Sequence, residues 1–258
     1  MRSAYVSNSR MLSTLHPLTK TVMVVLLILA AYLIPWLWWP ITLFALIVVL
    51  AFASGVGRSF LRTIVLGMLP IVISVFLIQG LLFPPADATP FTFGPLTLTY
   101  EGLALAFSVS TRLLLFTSAV LLLLRTTHPA DLVYALTQRG LPHSTGYILL
   151  VSLQIFPEMV ARATAILEAQ RSRGLDTQGW RRVLALLPLT GPLVVGALAD
   201  VEERAMALES RAYMVRGPKT SLRQLHDTAA QRWVRLLMIV AIVALIVWRL
   251  SLFVSTFL

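Results

Sequence analysis

Residues 21–57, TVMVVLLILAAYLIPWLWWPITLFALIVVLAFASGVG, hold 37 positions without a charged side chain. As one helix this run would measure about 55 Å at 1.5 Å per residue. The hydrocarbon core of a bilayer is about 30 Å thick. One span is too long, and two short spans fit. The break falls between Pro35 and Pro40, where Trp36, Trp38 and Trp39 cluster. Proline interrupts helices, and tryptophan favours the membrane interface. Helices over 20–35 and 38–55 follow. The competing reading of residues 1–34 is a cleavable signal peptide. A second apolar segment follows at once, however, and no small-x-small cleavage site precedes it.

Outward from this pair, the run Thr63 to Ala86 is uncharged and long enough to cross. Residues 84–100 read as a loop. They hold Pro84-Pro85, Asp87, Pro90 and Gly94-Pro95, with a Thr/Phe alternation suited to a small hairpin. Glu101 to Leu124 is a fourth span, interrupted by Arg112. Leu236 to Leu258 is a fifth, with Arg249 near its end. The bulk figures agree: of 258 residues 58% are hydrophobic and only 12% charged, with a mean hydropathy of +0.84. A soluble chain of this size cannot hide that much apolar surface. The expected class is an all-α integral membrane protein.

The formal net charge is nevertheless +10, from 21 Lys and Arg against 11 Asp and Glu. Their placement explains it. Arg2, Arg10 and Lys20 precede the first span, and Arg58 and Arg62 separate the second from the third. Fourteen Lys/Arg lie from Arg125 to Arg235, and the loops at 35–40 and 84–100 hold none. Cations mark the cytoplasmic side. The alternation therefore predicts five crossings, N-terminus in and C-terminus out. Nucleic acid is not needed to explain the basicity. Cysteine is absent, and the histidines (His16, His128, His143, His226) offer no i, i+3 or i, i+4 pair. No phosphate-binding G-x-x-x-x-G-K-[ST] loop occurs. The chain thus shows no metal site, thiol nucleophile or nucleotide cradle of its own.

Three parts follow: 1–124 with four spans, 125–230 at the cytoplasmic face, and 231–258 with the last span. Residues 125–235 contain nine of the eleven acidic residues, yet apolar residues stay helically spaced. A short helix starts after His128, with Pro129 in its first turn and Asp131 at the positive end of its dipole. Gly140 and Pro142 end it. A second helix covers about 144–173, with an expected kink at Pro157 and a stop at Gly174. A third covers about 181–213, its start interrupted by Pro188, Gly191 and Pro192. From Val194 the steps to Leu198, Val201, Ala205, Leu208 and Ala212 are 4, 3, 4, 3 and 4, a coiled-coil-like seam. Asp200 precedes Arg204 by four, the favourable order for an ion pair within one helix.

Each long helix closes on a similar element. Ser172-Arg173-Gly174 ends the second, and Ser210-Arg211-Ala212 ends the third, 38 residues on. Small neighbours leave a guanidinium standing clear, able to enter a partner's groove and fork two hydrogen bonds to a carboxylate.

On these residues the chain resembles the transmembrane T component of energy-coupling factor transporters, the EcfT/CbiQ family. The resemblance is carried by Glu168 to Gly174, Pro188-Leu189, Pro192, Glu203-Arg204-Ala205-Met206, Glu209, Arg211 and Tyr213. Gly94-Pro95-Leu96, Glu101-Gly102-Leu103 and Thr126-Thr127-x-Pro129-x-Asp131-Leu132 with Ala135-Leu136 also match, so it covers roughly residues 10–258. It implies a non-catalytic scaffold. Such a subunit joins two cytosolic ABC-type ATPases (A and A′) to a small substrate-binding S component that takes up a vitamin or a transition-metal ion. ATP and magnesium belong to the partners; the chain holds no cofactor. Two long coupling helices cross beneath the membrane and seat their small-Arg-small motifs in the ATPases. By position these are Ser172, Arg173, Gly174 and Ser210, Arg211, Ala212. Arg171 is a secondary candidate, and Arg216 a competing second anchor. The family commonly has Ala before each Arg and often Gly after the second. Its N-terminal element usually reads Leu-Asp-Pro-Arg-x-Lys, where this chain has Leu15-His16-Pro17-Leu18-Thr19-Lys20.

Other residues read as structural. Arg112 is expected to brace the bundle from mid-span, since a charge in hydrocarbon is costly. Gln79 is expected to make an interhelical hydrogen bond. Arg181, Arg182 and the arginines from Arg223 to Arg235 are expected to meet lipid headgroups. The alternative function is a free-standing secondary transporter, a class that usually needs ionisable or broken-helix sites at the midplane; only Arg112 qualifies, and no inverted repeat is visible. A membrane-bound enzyme would need a clustered His, acidic or Ser constellation, and none occurs.

Overall fold

A computed structural model describes residues 15–79, 90–93, 96–174, 187–213, 215, 217 and 225–257. Eight helices and one hairpin occur among them: α1 (Pro17–Leu33), α2 (Trp39–Ala53), α3 (Gly57–Leu77), β1 (Pro90–Phe93), β2 (Leu96–Thr99), α4 (Tyr100–Thr126), α5 (Pro129–Thr137), α6 (His143–Ser172), α7 (Leu187–Ser210) and α8 (Ala229–Phe257). The hairpin expected before α4 is present, antiparallel, with Pro90 opposite Thr99 and Phe93 opposite Leu96. The rest is helical, as the composition requires.

Local chemistry sets the helix starts. Thr99 caps α4, its Oγ1 accepting from the Gly102 amide at 3.2 Å. Two histidines do the same work before a proline. His16 Nδ1 accepts from the Leu18 amide at 3.4 Å, and His128 Nδ1 from the Ala130 amide at 3.3 Å. The histidine in place of the family's aspartate at position 16 therefore keeps a capping acceptor.

The chain falls into two compact units, the described parts of 1–135 with 225–258, and of 136–224. In the first unit α4 lies against α1, α2 and α3, and α8 lies along α1. The core holds Ala31, Ile47, Ala51, Phe60, Ile64, Leu115, Ala119 and Leu122. The buried face of α4 also includes Ala106, Ser110 and Ser118; small residues let helix backbones approach where no hydrophobic drive separates protein from lipid.

One end of this unit collects the cations. Arg125 donates to Ser59 Oγ at 2.9 Å and Thr63 Oγ1 at 3.1 Å. Lys20, only 4% exposed, donates to the Thr126 carbonyl at 2.9 Å. The Gln231 side chain accepts from the His16 amide at 2.8 Å. The starts of α1 and α3 thus meet the end of α4, and the start of α8 meets that of α1. At the other end Trp38 packs edge-on to Phe107, with centroids 5.7 Å apart.

Several boundaries shift. α3 begins at Gly57 rather than Thr63, so Arg58 and Arg62 ride on its first turns. Residues 80–89 lie outside the described set. The helices long and apolar enough to cross a membrane are α3, α4, α6 and α8, while α1 and α2 are apolar but have 17 and 15 residues. α6, expected at the membrane face, thus also has spanning length and composition. Arg232 and Arg235, two of the arginines expected at lipid headgroups, share one acidic neighbour. Arg235 is 6% exposed and donates to Asp227 at 2.8 Å, with Arg232 Nε 3.6 Å from the same carboxylate. The acid draws Arg235 inward, while the Arg232 side chain stays 65% exposed. Arg181, Arg182 and Arg223 lie outside the described residues.

In the second unit α6 and α7 run antiparallel: His143 and Tyr147 meet Tyr213, while Glu158 meets Arg204 and Arg162 meets Asp200. Both helices pass through an internal proline, Pro157 and Pro192. The expected interruption near Pro192 is therefore not seen. The expected seam is also displaced. Val194, Leu198, Val201 and Ala205 are exposed, Val201 at 60%. The less exposed face carries Leu193, Gly196, Ala197, Asp200, Arg204 and Leu208. Ion pairing to α6 turns α7 by about one residue position, 100°.

Candidate functional site

The two small-Arg-small elements have the same construction. Ser172 and Ser210 are the last residues of α6 and α7. Each serine turns its hydroxyl back on its helix, Ser172 to the Glu168 carbonyl at 3.1 Å and Ser210 to the Ala207 carbonyl at 3.0 Å. The arginine follows at the cap. The next residue is left-handed: Gly174 has φ +89° and Ala212 φ +53°. At α7 the Ala212 amide reaches the Glu209 carbonyl at 2.9 Å and the Tyr213 amide the Leu208 carbonyl at 3.0 Å. This is the paired closure of a Schellman end. At α6 the Gly174 amide reaches the Arg171 carbonyl at 3.0 Å.

The motif is thus a helix ending, and the small third residue has a backbone reason. A left-handed position is cheap for glycine and costly for most others. Arg173 and Arg211 are both exposed, and neither guanidinium has an ion pair or hydrogen bond among the described residues. The negative end of each helix dipole also favours a cation there. Arg171 is exposed and engaged; Arg216 lies outside the described residues.

Because α6 and α7 are antiparallel, the two arginines stand at opposite ends of the pair. Eleven residues separate Arg162 from Arg173, and eleven separate Asp200 from Arg211. Each arm is about 16 Å long. Tyr213, one residue past Ala212, anchors the second ending. Its ring lies 5.3 Å from that of Tyr147, and its hydroxyl donates to the His143 carbonyl at 3.1 Å. Burial, with Tyr147 beside it, pushes the Tyr213 phenol up from its ordinary value, which keeps it a donor.

Sequence reasoning paired Asp200 with Arg204 along one helix; the structure pairs each across to α6. Arg162 Nη1 lies 2.9 Å from Asp200 Oδ2, and Arg204 Nη2 lies 3.0 Å from Glu158 Oε2.

Arg112 is half-buried at the middle of α4, its guanidinium 5.7 Å from the Tyr32 ring centroid. Tyr32 is the penultimate residue of α1, so Arg112 sits near the tryptophan-bearing end. α4 has 27 residues, about 40 Å, so its middle is level with the end of a shorter neighbour. Gln79 Oε1 is buried without a hydrogen-bond partner among the described residues. The interaction there is backbone packing: a Cβ on Gly102 would lie 2.6 Å from the Gln79 carbonyl oxygen. Among the described residues no group of three His, Cys, Asp or Glu could hold a metal ion.

The described residues thus give an all-α membrane protein with a cationic bundle end and two exposed helix-ending arginines. The cobalt transport protein family, CbiQ, matches residues 8–222. Curated relatives agree. The energy-coupling factor transporter transmembrane protein EcfT of Heliobacterium modesticaldum is 32% identical over 224 residues, 82% of this chain and 83% of its own. The EcfT of Exiguobacterium sibiricum is 32% identical over 187 residues, covering 67% and 71%. That of Ruminiclostridium cellulolyticum is 26% identical over 243 residues, covering 87% of each. The chain belongs to this family, the transmembrane T components of energy-coupling factor transporters.

Proposed function

We propose that the chain is the coupling scaffold of an ATP-driven importer, joining two ABC-type ATPases to a substrate-binding S component that takes up a vitamin or a transition-metal ion. Arg173 docks one ATPase and Arg211 the other, with the small residues flanking each. The observation that carries this reading is the pair of exposed arginines, without a partner among the described residues, on matched helix endings at opposite ends of α6 and α7. Two like sites facing apart suit two like partners. The cationic end of the bundle faces the cytoplasm, which puts the N-terminus inside and the C-terminus outside. Hydrolysis belongs to the ATPases.

The test is co-purification and uptake. Arg173→Glu or Arg211→Glu, co-expressed with the ATPases and an S component, is expected to insert in the membrane but lose an ATPase or ATP-dependent uptake. Normal assembly and transport by both variants would overturn the reading.

A further inference from the structure

Four charges sit between α6 and α7. Glu158 and Arg162 are one turn apart on α6, and Asp200 and Arg204 one turn apart on α7. Antiparallel packing sets Glu158 against Arg204 at 3.0 Å and Arg162 against Asp200 at 2.9 Å. A second contact, Arg162 Nη2 to Asp200 Oδ1 at 3.2 Å, makes the latter a two-point pairing. Gly196 makes room for it: a Cβ there would lie 2.9 Å from Arg162 Nη1.

This order of signs admits one alignment. Sliding α7 by a turn in one direction sets Arg162 against Arg204. Sliding it the other way sets Glu158 against Asp200. A parallel arrangement on the same residues opposes both like pairs at once. Like charges in contact are a means of rejecting wrong pairings. Of the apolar residues on α7, Val194, Leu198 and Val201 are exposed and take no part in the choice; Leu193, Ala197 and Leu208 share the less exposed face with the charges.

We propose that Glu158, Arg162, Asp200 and Arg204 form a register lock, holding α6 and α7 in a single antiparallel alignment and so fixing the separation of Arg173 from Arg211. They are positioning residues; the docking consequence rests on the function proposed above, while the lock itself does not. The Arg162–Asp200 pair lies eleven positions from each arginine, and a slip of one helix along the other would change the span between Arg173 and Arg211 directly.

The test uses the cysteine-free chain. Cysteines introduced by Ala169→Cys and Met206→Cys, both at exposed positions, carry spin labels on the full chain in lipid nanodiscs. The expected result is one narrow distance distribution. Arg162→Asp or Asp200→Arg alone is expected to broaden it, or to add a population displaced by about 6 Å, one turn of slip. Reversing all four signs together, by Glu158→Arg, Arg162→Glu, Asp200→Arg and Arg204→Glu, keeps the alternating order and is expected to restore the narrow distribution. An unchanged distribution in the single variants, or no restoration in the fourfold reversal, overturns the lock. Where a single reversal yields no folded protein, the neutral Arg162→Gln makes the same comparison. Arg173→Glu leaves this distance as it is, so failure of the docking reading and failure of the lock are separate results.

Discussion

Gly174 and Ala212 occupy the same left-handed backbone position, one residue past Arg173 and Arg211, with φ +89° and +53°. Ala212 is the one non-glycine residue with positive φ among the described residues. Its Cβ carries a strain that Gly174 avoids. Ala212→Gly is expected to raise stability by up to about 1 kcal/mol, read as a higher Tm of the purified protein, with ATPase docking retained. A β-branched Ala212→Val is expected to lower Tm and weaken docking together.

Lysine should not replace arginine at the endings. If a guanidinium forks into a partner's groove, Arg173→Lys and Arg211→Lys keep the charge but lose the planar two-point contact. Each is expected to weaken ATPase co-purification by at least tenfold, about 1.4 kcal/mol. Equal binding by the lysine variants would show that charge alone suffices.

The lock is expected to choose a register without adding much stability. Arg162 and Asp200 side chains are 36% and 30% exposed, and such pairs contribute about 0–1 kcal/mol. A double-mutant cycle over Arg162→Ala and Asp200→Ala is expected to give a coupling below about 1 kcal/mol by thermal unfolding.

Lys20 is a different case. It is buried and satisfies the Thr126 carbonyl at the end of α4. Lys20→Met keeps the stem and removes the donor, leaving that carbonyl short of a partner. The expected loss is about 1.5–3 kcal/mol, measured as a lower Tm.

Gly102→Ala is expected to cost about 1–3 kcal/mol. The new methyl would meet the Gln79 carbonyl, a backbone atom that cannot swing aside. An unchanged Tm would mean that α3 and α4 separate there freely.

The apolar helices and the hairpin were legible because composition, proline and tryptophan act locally. The arginine endings were legible for the same reason, since a helix stop is written in a few adjacent residues. The α6–α7 face was not. A 4-3-4-3-4 apolar series is also consistent with a face turned to lipid or to another protein, and Asp200 and Arg204 alone cannot show that Arg162 and Glu158 stand opposite. The meeting of Arg112 with Tyr32 depended on neighbouring helix lengths, which no single segment carries. Histidine as a helix cap was missed because capping is usually sought in oxygen acceptors.

The equal arms described above have a mechanical consequence. If partners push on the two arginines with equal and opposite force, a pivot midway between the points of contact feels no net sideways load. The pair can then only turn or bend about its centre. An arm longer by one turn would instead give the two arginines unequal strokes for the same rotation, on radii of about 16 and about 22 Å.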